Sequence, residues 1–283
     1  MSTAPRVTVV TVTWQSAAVI VDFLASCPAG LSVVVVDNHS SDDTAALAEA
    51  ARPGVTVIRN TANLGFGAAA NQGLDASRTE YTLLANPDSR ITPEALAALV
   101  AAAEAFPGHA LIAPLLLDEA GRPVRSWNAS QHRRRRLARD RGGEPWPEGP
   151  VCVEFASGAC LLFRGADAPR FDDGFFLFYE DDDLCLRAGG ALLEPAARVA
   201  HAGGRSSAPA LGVTWRKARC MAWSRLRFTA LHGGGAAAAR REGLGRLLHH
   251  GGKALGHALT LKGRRAVGDL GGLAGTLAWL TGR

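Results

Sequence analysis

The feature that most constrains this chain is a repeated alternation in its N-terminal part. Short apolar runs rich in β-branched residues are separated by helical stretches. Val7-Thr8-Val9-Val10-Thr11-Val12-Thr13 reads as a buried strand, because branched side chains pack well on a pleated surface. A helix follows from about Ala17 to Ser26, then an apolar strand Ser32–Val36 ending at Asp37-Asn38. His39–Thr44 reads as a loop leading to a helix cap, and Ala45–Ala51 continues as helix. Val55–Ile58 is the next strand, Gly67–Ala76 the next helix, and Tyr81–Leu84 a fourth strand ending at Asn86-Pro87-Asp88. Pro93 opens a further helix reaching about Ala105, since proline suits a first helical turn. This order predicts an α/β fold with a mainly parallel, doubly wound sheet flanked by helices.

The pattern changes after residue 110. Ala110–Leu117 is a strand, and 118–150 reads as a long loop containing the run Arg133–Arg136. Val151–Phe163 is a strand broken at Ser157-Gly158, a helix starts at an acidic cluster near 180, and Val199-Ala200 is a short strand leading to His201. Val213–Leu231 is helical, 233–239 is a Gly/Ala-rich hinge, and the remainder is a helical tail. The expected organisation is one α/β domain over 1–232 and a basic helical tail over 233–283. No internal repeat is visible.

Of 283 residues, 47% are hydrophobic and 20% charged, which is the composition of a folded globular protein. The start lacks a basic segment followed by a long apolar run, so no secretory signal is expected. No apolar run reaches the roughly 20 residues of a spanning helix. Five cysteines without a C-x-x-C pair point to reduced, mostly buried thiols and a cytoplasmic protein, with no zinc site. The net charge of +5 is unevenly spread. Residues 240–283 hold eight Lys/Arg and two acids, so the tail carries +6 and the rest of the chain −1.

In open α/β sheets, ligands bind beyond the carboxyl ends of strands. Asp37-Asn38, Asn63 and Asn86-Pro87-Asp88 therefore gather at one sheet edge. Taken singly, each is an ordinary turn or cap residue. Gly65-Phe66-Gly67-Ala68-Ala69-Ala70 matches the dinucleotide fingerprint but sits in the third strand–helix unit, and Glu80 precedes the next strand rather than ending it. A dehydrogenase is not indicated. Asp88 is a candidate ligand for Mg²⁺ or Mn²⁺, both of which take oxygen donors. Phe175 to Tyr179 delivers Glu180-Asp181-Asp182-Asp183 to a helix start. Adjacent carboxylates repel one another, which raises some of their pKa values and suits a general base. The ordinary reading is a solvated acidic face with an Asp183–Arg187 pair. The apolar approach favours a pocket, with Asp181, Asp182 and Asp183 all open as the base. His201 is either a metal ligand or a loop histidine. Arg205 binds phosphate or faces water.

Taken together, the motifs resemble the inverting family 2 glycosyltransferases of the GT-A fold, and within them the rhamnosyltransferase-like branch of bacterial polysaccharide assembly. The resemblance spans about 6–232. It rests on Val9 to Trp14, Val35 to Ser40, Arg59-Asn60 with Asn63 to Gly67, Leu84 to Asp88, Ser157 to Ala159, Phe175 to Arg187, and His201 to Ser206. It implies a nucleotide-sugar site of Thr13, Trp14, Asp37, Asn38, Asn63, Gly65, Asn86, Asp88, Gly158 and Arg205. It further implies a metal (Mg²⁺ or Mn²⁺) held by Asp88 and His201, Asp181 as catalytic base, and Glu180 and Asp182 on the acceptor side. The chain departs from the family pattern at Asn86, where an acid is common, and at Asp182, where an apolar residue is usual. The segment Arg164–Asp172 is also short.

The resemblance implies a hexosyltransferase that uses a nucleoside diphosphate sugar, dTDP-rhamnose ahead of UDP- or GDP-sugars. The implied acceptor is polyprenyl-diphosphate-linked or a polysaccharide, in cell-envelope glycan synthesis. Leu244, Leu247, Leu248, Leu255 and Leu259 among basic residues fit peripheral contact with the cytoplasmic face of the membrane, although the tail's glycines weaken an isolated helix. No nucleic-acid module is present, so no nucleic-acid partner is expected. A sugar nucleotidyltransferase is the enzymatic alternative, but it would carry a Gly-rich basic loop where Trp14-Gln15-Ser16 stands. A catalytically inactive nucleotide-sugar-binding protein is the non-enzymatic one.

Overall fold

The computed structural model describes residues 6–130, 143–165, 168–203 and 210–282. The run Arg133–Arg136 and Arg205 lie outside the described residues. The chain forms two compact units, one of residues 1–172 with 181–206, the other of 173–180 with 207–283.

The first unit is built on a nine-stranded sheet. Its strands are β1 (Val7–Thr13), β2 (Ser32–Asp37), β3 (Thr56–Arg59), β4 (Tyr81–Ala85), β5 (Ser89–Arg90), β6 (Leu111–Leu117), β8 (Val151–Val153), β10 (Cys160–Arg164) and β11 (Ala191–His201). The order is β3-β2-β1-β4-β10-β6-β11-β5, with β8 also beside β11. A separate ribbon pairs β7 (Trp127–Asn128) with β9 (Phe155–Ala156). β1 to β4 pair in parallel, in agreement with the alternation in the sequence.

The two-residue period of the strands divides the core. Val7, Val9, Val33 and Val35 point to one face, against Ile20, Phe23 and Leu24 of α1 (Ile20–Ser26) and Leu96 and Leu99 of α4 (Pro93–Ala105). Val10, Val12, Val34 and Val36 point to the other, against Ala69, Ala70 and Leu74 of α3 (Phe66–Ala76) and Leu184 and Cys185 of α5 (Glu180–Arg187). Each of the valine, leucine, isoleucine and phenylalanine side chains contributes about 1.5–3 kcal/mol through burial. Pro93 occupies the first turn of α4, and the Thr92 hydroxyl accepts from the Ala95 N–H at 3.2 Å. Four of the five cysteines are buried and Cys152 is exposed. Burial pushes the Cys160 thiol up to about 12, so it stays protonated.

Three expectations are corrected. Val199-Ala200 is the end of an eleven-residue strand, β11. Its pairing register shifts between Glu194 and Arg198, where Pro195 cannot donate to a ladder and the Glu194 carboxylate accepts from the Ala196 N–H at 2.8 Å. That irregularity hides the strand from a periodicity reading. The segment 118–150 is not all loop, since it contributes β7. The hinge expected over 233–239 is confined to Gly233-Gly234, with Gly234 at φ 103°, and α7 (Gly235–Leu259) begins directly after it. Alanine has the highest helix propensity, so Ala236–Ala239 extends a helix.

The second unit contains α6 (Leu211–His232), α7 and α8 (Gly263–Leu280). Gly271 and Gly275 of α8 lie under the carbonyls of Trp215 and Arg219 of α6, where any Cβ would collide with backbone. Glu242 of α7 accepts from the Arg225 guanidinium and from the Thr229 hydroxyl of α6. Asp269 of α8 meets His257 Nδ1 at 2.7 Å and His250 Nδ1 at 3.2 Å. Among the described residues, no helix is long and apolar enough to cross a membrane.

Candidate active site

The first part of the site is the edge formed by the carboxyl ends of β1 and β2. Parallel register sets Thr13 beside Asp37, and the Thr13 hydroxyl donates to Asp37 Oδ1 at 3.2 Å. Asp37 Oδ2 accepts from the Ser40 N–H at 3.2 Å, and both Thr13 and Asp37 are buried. The loops beyond these strands are tied together. Gln15, at φ 56°, donates its N–H to Ser40 Oγ at 3.0 Å, and the Ser16 N–H donates to Thr44 Oγ1 at 2.8 Å. Sequence reading missed both ties, because each joins residues more than twenty positions apart. The run His39–Thr44, expected to lead into a helix cap, ends at α2 (Thr44–Ala51), whose N-cap residue Asp43 makes no side-chain cap bond. Asp42 instead accepts from the Thr44 and Ala17 N–H groups. Trp14 is partly exposed beside this loop pair.

Asn38 is buried, and its amide is fully used within the protein. Its nitrogen donates to Asn63 Oδ1 at 3.1 Å and to the Gly65 carbonyl at 3.0 Å. Its oxygen accepts from the Leu64 N–H at 2.9 Å and from Asn60 Nδ2 at 3.1 Å. Asn38 therefore fastens the loop after β3 to the end of β2. The Asn63 oxygen also accepts from the Gly65 N–H at 3.0 Å. Gly65 adopts φ 89°, ψ 167° at the start of α3, a conformation open only to glycine. A Cβ on Gly73 would collide with Val10, so α3 packs directly on β1. Gly65 of the fingerprint-like run thus serves a turn, and Gly73 beyond that run a close helix–strand contact.

The second part depends on the antiparallel strands. β10 runs opposite to β4, so its start lies at the carboxyl end of β4, and the Asn86 N–H donates to the Ala159 carbonyl at 2.8 Å. Next to it, the Gly158 N–H donates to Asp181 Oδ2 at 3.2 Å. On the other side of Asn86-Pro87-Asp88, β5 pairs with β11 and sets His201 opposite Ser89. His201 Nε2 then lies 3.3 Å from Asp88 Oδ1 and 3.3 Å from Asn86 Nδ2. Asp88 is buried and His201 partly exposed.

The members of the acidic cluster differ in burial and partners. Asp183 is buried and bonds Arg187, which also donates to the Arg170 carbonyl at 2.7 Å. Asp182 is 0% exposed and Glu180 6%. Asp181 is partly exposed and is the member bonded to the sheet edge. Just ahead of the cluster, Phe178 and Tyr179 both take φ near +70° (69° and 67°), a strained pair at the helix entry. Within the second unit this segment is held by Ser224, whose hydroxyl donates to the Leu177 carbonyl at 2.9 Å, and by Tyr179 against Phe228.

Asp88 Oδ1 and Asn86 Nδ2 each lie 3.3 Å from His201 Nε2, and of these three groups the carboxylate oxygen and the imidazole nitrogen are of types that divalent cations accept. Among the described residues, no group of three or more His, Cys, Asp or Glu side chains could hold a metal.

The model of Glycosyl transferase family 2 matches residues 8–164, more than half of the chain. An N-acetylglucosaminyl-diphospho-decaprenol L-rhamnosyltransferase of Mycobacterium tuberculosis is 30% identical over 229 residues, covering 68% of this chain and 75% of that protein. The fold is similar to that of mannosyltransferase PcManGT from Pyrobaculum calidifontis, solved in complex with GDP-Man and Mn²⁺ (TM-score 0.56, 18% identity, 99% of this chain and 88% of that one). It is also similar to S. aureus TarS 1-349 (TM-score 0.54, 15% identity, 98% and 92%). Against a longer TarS chain it covers 44% of that protein. At such identities the structures speak to fold, and the fold they share with this chain is GT-A. With that fold, the family match and the 30% identical relative in agreement, the chain belongs to glycosyltransferase family 2.

Proposed function

We propose that this glycosyltransferase is metal-dependent and inverting. In this reading it moves rhamnose or a related hexose from a nucleoside diphosphate, dTDP before UDP or GDP, to a polyprenyl-diphosphate-linked or polysaccharide acceptor. It acts in cell-envelope glycan synthesis at the cytoplasmic face of the membrane. The observation that carries the reading is the path Asp88–Asn86–Ala159–Gly158–Asp181, which ties the Asp88–His201 pair and a partly exposed carboxylate to one strand end. The M. tuberculosis relative, by its name, transfers rhamnose to a diphospho-decaprenol acceptor, which supports the choice of donor and acceptor class.

Residues 1–232 are assigned to catalysis and 233–283 to a basic appendage. Thr13, Trp14 and Asp37 meet the nucleoside. Asn38, Asn63 and Gly65 shape the wall around it, and Gly158 and Arg205 complete the sugar-diphosphate side. Asp88 and His201, with Asn86 beside them, hold Mg²⁺ or Mn²⁺. A cation held there would supply charge neutralisation to the diphosphate. Asp181 accepts the proton of the acceptor hydroxyl as the acceptor oxygen bonds to the anomeric carbon and the bond from that carbon to the diphosphate oxygen breaks. One displacement on the face opposite the leaving group inverts the carbon. Asp183 is engaged by Arg187 and Asp182 is fully buried, which supports Asp181 as the base. Glu180 and Asp182 support the acceptor side from within.

The test is thermal unfolding with dTDP, UDP and GDP, each with and without Mn²⁺ or Mg²⁺. A ligand at a hundredfold its Kd stabilises the fold by about 2.7 kcal/mol. One nucleotide should raise the midpoint only with the cation. Asp88→Ala should lose that shift. Asp181→Asn should keep it while sugar transfer falls about 10²–10⁴-fold. No shift with any nucleotide, or full transfer by Asp181→Asn, would sink the proposal.

A further inference from the structure

The outward side of α7 has the wrong chemistry for water. Leu244, Leu248, Leu255 and Leu259 are 60%, 82%, 64% and 77% exposed, and Leu261 just beyond the helix is 92% exposed. At about 100° per residue, the four helical leucines fall within an arc of about 60°. The far side of the same helix carries the buried Ala239, Gly243 and Ala254, so α7 is already packed on the side that faces its own unit. Gly245, Gly251, Gly252 and Gly256 have nothing near a would-be Cβ, so no packing requires them. Soluble proteins scatter exposed leucines singly, and a contiguous stripe marks a contact surface.

Charge identifies the contact. α6, α7 and α8 contain two acids, Glu242 and Asp269. Both are used between helices, Glu242 by Arg225 and Thr229, and Asp269 by His257 and His250. The exposed charge around the leucines is therefore basic: Arg240, Arg241 and Lys253 on α7, then Lys262, Arg264 and Arg265 at the turn into α8. A second copy on this face would set like charges against each other. A nucleic acid would meet the arginines but leave the leucines wet. A surface that is anionic on the outside and apolar beneath answers both sets of residues, and among the described residues no helix is long and apolar enough to pass through it.

We propose that α7 lays its leucine stripe into the interface of an anionic phospholipid bilayer, with the flanking Arg and Lys side chains at the lipid phosphates. This names the surface that would bring a lipid-linked acceptor and the enzyme together. It deepens the function proposed above, but its test uses neither nucleotide nor acceptor.

The full chain is sedimented with vesicles of phosphatidylcholine, with and without phosphatidylglycerol. Binding should be strong with phosphatidylglycerol and at least about tenfold weaker without it. Leu248→Ser/Leu255→Ser/Leu259→Ser should lose binding at least about tenfold, with an unchanged circular-dichroism melt. Asp181→Asn should bind like the parent protein, so a failed enzymatic reading and a failed docking surface give different results. Equal sedimentation of parent and triple-serine protein would overturn the proposal, as would no sedimentation with either vesicle. Self-association that disappears in the triple variant, without vesicle binding, would assign the stripe to a second copy and overturn it too.

Discussion

The Gly158 N–H holds Asp181 Oδ2 at 3.2 Å, and a side chain at residue 158 would fit only tightly. A Cβ on Gly158 would lie 3.3 Å from Asp181 Cβ and 3.6 Å from the Phe66 ring edge. Gly158→Ala should therefore leave the fold intact and displace the carboxylate. A catalytic group misplaced by about 1 Å costs up to about a hundredfold. We expect kcat to drop about tenfold or more with the KM for the nucleotide sugar near its original value, measured by initial rates. An unchanged kcat would mean that Asp181 is not held through Gly158. At this scale the gathering of Asn86-Pro87-Asp88 at a strand end was legible from the order of strands, and the Asp183–Arg187 pair from helical spacing. The work of Asn38 was not. Its four hydrogen bonds go to residues more than twenty positions away, which no local pattern encodes.

Among the elements, the helices of the second unit are joined by few polar ties, and Glu242 is the clearest. Burial alone would push its carboxyl up. The hydrogen bonds from Arg225 and Thr229 and the nearby Arg225 and Arg246 charges outweigh burial and hold it below its ordinary value of 4.5. A carboxyl depressed in the fold contributes stability above its unfolded pKa, and that contribution is lost as pH falls through the folded value. Glu242→Gln should cost about 1–3 kcal/mol at neutral pH, and the difference from the parent protein should shrink as pH falls below 4.5, read from urea midpoints. A constant difference across that range would refute the assignment. The first four strands were readable because continuous branched runs need no knowledge of partners. β11 was not, because its proline and register shift are tolerated by neighbours that the sequence does not order.

For the whole molecule, α6 belongs to the same compact unit as α7 and α8. Removing residues 233–283 would uncover the backbone of α6 at Trp215 and Arg219, which Gly271 and Gly275 now approach. We expect a chain ending at His232 to unfold at a lower temperature and to aggregate, checked by calorimetry and light scattering. A truncated chain as stable and monodisperse as the parent would show that α6 stands without its partners. By itself the sequence determined the α/β class, the kinship with family 2 and the basic character of the tail, because these follow from local propensity, motif order and charge count. Only the tertiary structure decided that β10 and β11 set Gly158 and His201 against the end of β4. It alone turned both acids of the tail inward and left a stripe of leucines outside. Those outcomes depend on pairing between distant segments, and the free energy of such pairing lies in contacts that no single stretch of chain contains.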